Sequence, residues 1–236
     1  MSALSPRIAV LKFGGTSVAT PEQRVHLVAR VREAREVGFS PVAIVSAMGR
    51  APAPYATDVL LALLDGESAT PESDLLLSCG ESIAAAVVAK TLRDNGVPAR
   101  AITGREAGII TDERFGNARI TVVHPDALIE LIAQGIVPVV TGFQGATPSG
   151  ATTTLGRGGS DLTAVALGDA LDAERIDIYT DVSGAMTADP RRIERARAIS
   201  EATLEEMSEL ASHGAKVMHA VAAEYARERD RTYAIK

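Results

Sequence analysis

Short apolar segments rich in β-branched residues alternate with longer helical stretches along most of this chain. Residues 8–13, IAVLKF, have the composition of a buried strand, and Thr20 followed by Pro21 is typical of the start of a helix. Further strand-like segments follow at 41–46, 136–141 and 176–180. Strands that alternate with helices form parallel sheets covered by helices on both faces. The pattern therefore predicts an α/β fold, a three-layer αβα sandwich with a mainly parallel central sheet.

The middle of the chain departs from this alternation. Residues 99–103, 108–111 and 118–123 are short strand-like segments between turn residues, which predicts a small β excursion. The Gly- and Thr-rich stretch 142–159 predicts a loop and a hairpin, and Ser160 is expected to cap the helix that follows.

The composition and length of the chain argue against several classes of protein. The 236 residues contain no repeat and no linker, so we expect one domain over residues 1–236. A net charge of -6 with 3% aromatic residues argues against a nucleic-acid partner. The single cysteine, Cys79, allows no disulfide framework. The longest purely apolar run, 83–89, is too short to span a bilayer and no signal peptide is evident, so we expect a cytoplasmic protein without a membrane partner.

Several glycine-containing corners carry charged residues that could bind an anion. Lys12 ends the first strand and precedes Gly14 and Gly15, whose backbone N–H groups could approach a phosphate closely. Residues 156–161 place an arginine and two glycines at the start of a helix, where the dipole favours a negative group. Taken singly, each corner is equally typical of an ordinary turn or a capped helix end.

Nine motifs follow one another along the chain. They are KFGGTSV (12–18), VSAMG (45–49), YATD (55–58), SCGE (78–81), AGIITD (107–112), GFQG (142–145), TTTLGRGGSD (152–161), YTDVSGAMTADPR (179–191) and GAKVMH (214–219). Together they closely resemble the catalytic domain of the aspartokinases, within the amino acid kinase family. The resemblance implies the amino acid kinase fold, with an N-terminal lobe (about 1–140) on the acceptor side and a C-terminal lobe (about 141–236) on the nucleotide side.

The resemblance also implies a reaction, in which ATP phosphorylates the side-chain carboxylate of L-aspartate to 4-phospho-L-aspartate, the first step toward lysine, threonine and methionine. A carboxylate with a reference pKa of about 3.9 is ionised at neutral pH, so this nucleophile needs no general base. The remaining obstacle is repulsion between two anions, which positioned cations relieve. ATP and Mg²⁺ are the expected cofactors, and the metal would be held by nucleotide and water without dedicated protein ligands.

Residue roles follow from the same resemblance. Lys12 and Lys216 would neutralise the transferring phosphoryl group, with Asp161 holding both lysines, as the catalytic set. Arg157 would pair with a carboxylate of aspartate, and Glu81 with its α-ammonium group. Further nucleotide contacts would come from Gly14, Gly15, Thr180, Asp181, Met186, Asp189 and Arg191, and further aspartate contacts from Ser46, Thr57 and Ser160.

The chain departs from the family pattern at three places. Aspartokinases usually continue into two ACT modules that bind lysine or threonine, whereas this sequence ends at Lys236. We therefore expect a catalytic unit without ACT regulatory domains, a chain that pairs with another, or a trimmed piece of a longer protein. Ala220 and Val221 replace the Pro-Arg usual after the histidine of GAKVMH, which affects the expected geometry around Lys216. Arg105 stands in a loop where an aromatic residue is common.

Two other functions stay open at this point. One is a kinase of the same fold that acts on another small acid or on a nucleoside monophosphate, against which Glu81 and Arg157 argue. The other is a nucleotide-binding regulatory paralogue with weak or no catalysis, which the missing ACT modules and Ala220 suggest. We predict a homodimer, and a longer regulatory chain is the alternative partner.

Overall fold

The structure, a computed structural model, describes residues 6–180, 184, 186, 195, 197, 199–213 and 218–236. Within these residues, one sheet contains β1 (Ile8–Phe13), β2 (Ser40–Val45), β3 (Ala99–Ile102), β6 (Val137–Thr141), β9 (Arg175–Tyr179) and β10 (Ala234–Ile235). The strand order is β10-β9-β1-β2-β6-β3, and every neighbouring pair is parallel. The predicted parallel central sheet is confirmed.

A smaller sheet is built from β4 (Ile109–Thr111), β5 (Ile120–Val123), β7 (Gln144–Ala146) and β8 (Thr152–Thr154). Its order is β5-β4-β7-β8, with β7 and β8 forming an antiparallel hairpin. The predicted β excursion and hairpin are therefore confirmed, but the assignment of residues 99–103 to the excursion was wrong. β3 pairs with β6 at the edge of the main sheet instead, because Ala99 and Ile102 are buried there.

Helices cover both faces of the main sheet. They are α1 (Gly15–Val18), α2 (Pro21–Glu36), α3 (Thr57–Ala62), α4 (Pro71–Asp94), α5 (Asp126–Ala133), α6 (Gly159–Ala170), α7 (Leu204–Ser212) and α8 (Ala220–Glu228). Leu11 of β1 is buried with α2 and α4, whereas Val10 is buried with α5 and α6. Since successive side chains of a strand point to opposite faces, the three layers follow from this alternation.

The long helix α4 is, among the described residues, the one whose length and composition would allow it to cross a membrane. Half of that apolar stretch is buried inside the fold, where α4 packs against β3, β6 and β8. Its buried side also carries Asp74 and Glu81, whose carboxylates accept hydrogen bonds from other segments. In this fold α4 is a core helix.

The starts of α2 and α7 follow their sequence signals, whereas the start of α6 does not. The hydroxyls of Thr20 and Thr203 cap α2 and α7 in capping boxes. The prediction that Ser160 caps α6 was wrong, because Gly158 is the N-cap and Ser160 lies inside the first turn. Gly158 has a φ of 76°, a left-handed conformation that glycine adopts without strain.

Candidate active site

Lys12 and Asp161 form the centre of the site. Lys12 lies on the same face of β1 as Ile8 and Val10, and α6 covers this face. Its Nζ is 2.7 Å from Oδ1 of Asp161 in the first turn of α6, and the two side chains are 10% and 15% exposed. Asp161 Oδ1 has no hydrogen-bond partner among the described residues, so this ion pair is its main contact. The pair thus fixes a lysine ammonium at the carboxyl end of the central strand.

Gly15 allows the loops that follow β1 and β2 to approach each other closely. A Cβ on Gly15 would lie 2.4 Å from the carbonyl oxygen of Ala47, so a side chain would collide with backbone there. The Gly15 carbonyl accepts a hydrogen bond of 3.0 Å from the Gly49 N–H, and the Gly14 N–H donates to the Tyr179 carbonyl at 3.3 Å. The ends of β1, β2 and β9 are therefore held together at this corner.

A cavity of about 190 Å³ opens at this corner. It is lined by Lys12, Gly14, Gly15, Thr16, Ser46, Gly49, Arg50 and Thr180. Its described lining contains two cationic side chains and no carboxylate. The volume is below the ~300–1,000 Å³ usual for a drug-sized ligand. A cavity of this size and charge suits phosphate groups.

Five of the predicted site residues line this cavity: Lys12, Gly14, Gly15, Ser46 and Thr180. The cavity is also lined by Thr16, Gly49 and Arg50, which were not among the predicted site residues. The position of Arg50 directly after the VSAMG motif is a signal that could have pointed to it.

Glu81 lies on α4 beside the end of β2. Its Oε1 accepts a hydrogen bond of 3.0 Å from the Ala47 N–H, while Oε2 is buried with no hydrogen-bond partner among the described residues. Burial raises the pKa of Glu81 to about 8, and the hydrogen bond from Ala47 only partly opposes this. An unpartnered buried carboxyl oxygen is costly unless a ligand supplies a donor or a cation.

Two predicted hydroxyl groups meet at the start of α6. Ser46, just after β2, donates from Oγ to Oγ of Ser160 at 3.0 Å. Ser160 is held close to Gly142, where a Cβ would lie 2.6 Å from the serine hydroxyl. This contact joins the end of β2 to the helix that carries Asp161.

Arg157 lies on the turn between β8 and α6 and is exposed, without an ion pair to any side chain that the structure describes. The next residue, Gly158, packs on His219, since a Cβ there would lie 2.1 Å from the histidine Cβ. His219 is the N-cap of α8. The turn that carries Arg157 therefore packs on the start of α8, where Ala220 and Val221 depart from the aspartokinase pattern.

Other predicted site residues lie elsewhere. Thr57, the first residue of α3, Arg157 and Met186 do not line the cavity around Lys12. Asp181, Asp189, Arg191 and Lys216 lie outside the described residues. In the part of the chain that the structure describes, no three His, Cys, Asp or Glu side chains come together as metal ligands.

A second cavity of about 230 Å³ lies at the amino ends of β2 and β6, with Arg35, Phe39 and Ile136 among its lining residues. Open α/β sheets bind ligands at the carboxyl ends of their strands. We therefore assign the candidate site to the cavity around Lys12.

The chain is similar to known proteins in both sequence and structure. The chain is 49% identical over 225 residues to aspartokinase 1 of Bacillus subtilis, covering 94% of this chain and 56% of that protein. It matches the crystal structure of aspartate kinase from Synechocystis with a TM-score of 0.80 and 42% identity, over 98% of this chain and 38% of the other. Aspartokinase III of Escherichia coli in complex with aspartate and ADP gives a TM-score of 0.81 at 29% identity, over 97% of this chain and 61% of the other.

The chain thus spans about half the length of the curated relatives that it matches. The profile of one family, described as the amino acid kinase family, matches residues 7–236. Since this match covers nearly the whole sequence, the chain belongs to the amino acid kinase family.

Proposed function

We propose that this chain transfers the γ-phosphoryl group of MgATP to the side-chain carboxylate of L-aspartate, giving 4-phospho-L-aspartate and ADP. The observation that carries the proposal is the Lys12–Asp161 pair. It lies beside the small cavity that is lined by Gly14, Gly15 and two cationic side chains. The relatives support the choice of substrates, because they are named aspartokinases and one was solved with aspartate and ADP.

The phosphoryl transfer depends mainly on positively charged groups held in position, and less on proton transfer. A carboxylate oxygen of aspartate attacks the γ-phosphorus, and the bond from that phosphorus to the bridging oxygen of ADP breaks. The nucleophile carries no proton to remove, so a base is unnecessary. Lys12 would neutralise the equatorial oxygens, and Asp161 would keep its ammonium in place. Lys216 would supply a second ammonium.

The acceptor pocket would lie on the β2 side of the cavity. Glu81 would bind the α-ammonium group, because its Oε2 is buried and has no hydrogen-bond partner among the described residues. Arg157 would close on a carboxylate as a bidentate partner. Ser46, Thr57 and Ser160 would complete the contacts to aspartate. We assign acceptor binding mainly to residues 1–140 and nucleotide binding mainly to residues 141–236.

The nucleotide would enter from the β9 side. Gly15 would face the phosphates with its N–H group, and Thr180 lines the same cavity. Gly14 lines the cavity too, but its N–H already donates to the Tyr179 carbonyl, so its expected N–H contact with the phosphates is not part of this proposal. Mg²⁺ would arrive on the phosphates as part of the substrate, as is usual for a cation that retains several waters. The further nucleotide contacts in this proposal are Asp181, Met186, Asp189 and Arg191.

The proposal includes a cytoplasmic homodimer. Leu63 of α3 and Leu75 of α4 are 70% and 59% exposed, and a second copy could cover them. Light scattering after size-exclusion chromatography measures the mass directly. A monomeric mass at micromolar concentration would contradict the dimer.

The activity is tested by coupled ADP release with MgATP and L-aspartate, and by trapping the acyl phosphate with hydroxylamine. We expect turnover with L-aspartate and none with other small acids or nucleoside monophosphates. Lys12→Ala should lower kcat by roughly 100-fold or more, the scale of losing one group that stabilises transition-state charge.

A matched control for Lys12→Ala is Lys90→Ala. Lys90 lies on α4 and its side chain is 69% exposed in a pair with Asp94, so its loss should leave turnover unchanged. Full activity of Lys12→Ala would refute the assigned role of Lys12, and turnover of another acceptor in place of aspartate would refute the proposed substrate.

A further inference from the structure

We propose that the hydroxyl group of Thr141 binds the α-ammonium group of L-aspartate together with Glu81, and so discriminates this substrate from acids that have no amino group. The inference rests on the proposed function, because it assumes that the acceptor binds beside Glu81. Thr141 is the last residue of β6 and was not among the predicted site residues.

Thr141 lies at the carboxyl end of the main sheet, on the face that α4 covers. It pairs with Val45 of β2, and Val139, two residues earlier on the same face of β6, is buried with side chains of α4. Thr141 is 1% exposed, and its Oγ1 has no hydrogen-bond partner among the described residues. A buried hydroxyl without a partner is costly, so this position favours a ligand that supplies one.

Glu81 reaches the same end of the sheet from α4. Its Oε1 accepts the hydrogen bond from the N–H of Ala47, which follows Val45 by two residues at the end of β2. The other carboxyl oxygen, Oε2, is buried without a partner in the described part of the chain. Glu81 Oε2 and Thr141 Oγ1 are thus two unpartnered oxygens on one face of the sheet, at the ends of neighbouring strands.

An ammonium group suits two such oxygens. It carries three N–H donors and no acceptor, whereas carboxylate and hydroxyl oxygens both accept hydrogen bonds. The carboxylates of aspartate only accept, so they suit the cationic side of the site instead. Ser46, the residue before Ala47, lines the cavity around Lys12. A substrate at this strand end would therefore place its amino group at Glu81 and Thr141 and its reacting carboxylate toward Lys12.

The test is Thr141→Val, which keeps the shape of the side chain and removes the hydroxyl. Calorimetric titration with L-aspartate in the presence of MgADP measures binding, and steady-state kinetics give the KM values. Thr141→Val should weaken L-aspartate binding and raise its KM by roughly 10-fold, the scale of one hydrogen bond to a charged group. The KM for ATP should change by less than about twofold, and Thr141→Ser, which retains the hydroxyl, should recover most of the loss.

Succinate, the same diacid without the amino group, separates binding of the ammonium group from a general effect on the pocket. Its inhibition constant against aspartate should change by less than about twofold in Thr141→Val. The variant replaces an unpartnered buried hydroxyl with a methyl group, so its free energy of unfolding in urea should not fall. Should Thr141→Val fail to fold, Thr141→Ala replaces it.

The matched control is Thr91→Val. Thr91 lies on α4 beyond Glu81, and its hydroxyl donates to the Val87 carbonyl at 2.9 Å, so the change should leave the KM for aspartate unaltered. Unchanged aspartate binding in Thr141→Val, equal losses for aspartate and succinate, or a loss that Thr141→Ser does not recover would each overturn the assignment. If the unaltered chain does not phosphorylate aspartate, the proposed function fails, while the calorimetric titration still decides the role of Thr141. An unaltered chain that binds no aspartate would refute both.

Discussion

Glu81 shows how burial changes the chemistry of a single residue. On a surface its carboxyl group would be ionised at neutral pH, but burial on α4 raises its pKa to about 8. The free site therefore holds a largely neutral carboxyl group at pH 7. An α-ammonium group interacts best with the carboxylate, so binding of aspartate would release this proton.

The affinity for aspartate should consequently depend on pH. Below about pH 8, Glu81 must lose its proton before its carboxylate can bind the α-ammonium group. The KM for aspartate should therefore fall by up to about tenfold for each pH unit between 6 and 8, and it should level off near 8. Steady-state kinetics at saturating MgATP measure this dependence. Glu81→Gln, which cannot ionise, should show a higher KM with no such slope, and a flat KM for the unaltered chain between pH 6 and 8 would contradict the role of Glu81.

At the scale of elements, Asp74 joins α4 to the small sheet. Its carboxylate accepts hydrogen bonds from the Thr154 N–H at 2.6 Å, the Thr154 hydroxyl at 2.8 Å and the Gly116 N–H at 2.9 Å. Asp74 is fully buried, and desolvation raises its pKa even though these hydrogen bonds oppose the shift. The hairpin that leads to Arg157 is thus anchored on the helix that carries Glu81.

Asp74→Ala should destabilise the protein by about 2–4 kcal/mol, because it leaves several buried donors without an acceptor. Urea unfolding monitored by circular dichroism gives the free energy of unfolding. Thr154→Val removes only one of the donors and should cost about 1 kcal/mol. A loss for Asp74→Ala no larger than for Thr154→Val would show that the cluster is not an anchor.

Local signals explain which elements the sequence predicts well. The capping boxes of α2 and α7 depend on residues three positions apart, so the sequence contains everything needed. Local signals do not predict the start of α6, because Gly158, which has a left-handed φ and contacts His219, is the N-cap in place of Ser160. They also do not predict the place of β3 in the main sheet, which depends on pairing with the distant strand β6.

At the scale of the whole molecule, the site exists only where the carboxyl ends of β9, β1 and β2 meet. A ligand that occupies this cavity contacts residues at the ends of all three strands, so its binding should stabilise the native fold as a unit. MgADP at about 100 times its dissociation constant should add about 2.7 kcal/mol to the free energy of unfolding. For a chain of this size that corresponds to an increase in Tm of roughly 5–10 °C.

Thermal unfolding with and without MgADP measures this increase. Mg²⁺ alone and AMP, which lacks the β-phosphate, serve as the controls and should shift the Tm far less. An equal shift with AMP would show that the stabilisation does not come from phosphate binding in the cavity around Lys12.

The sequence by itself determined the alternation of strands and helices, most helix starts and the resemblance that selects the candidate residues. These features depend on composition and on residues that lie within a few positions of one another in the sequence. Such information is present in the chain before it folds. Only the tertiary structure decided that Asp161 meets Lys12, that Arg50 lines the same cavity and that Glu81 is buried beside Ala47. Ion pairing, cavity formation and desolvation depend on groups brought together from distant parts of the chain, and they acquire their energies only when packing excludes water around them.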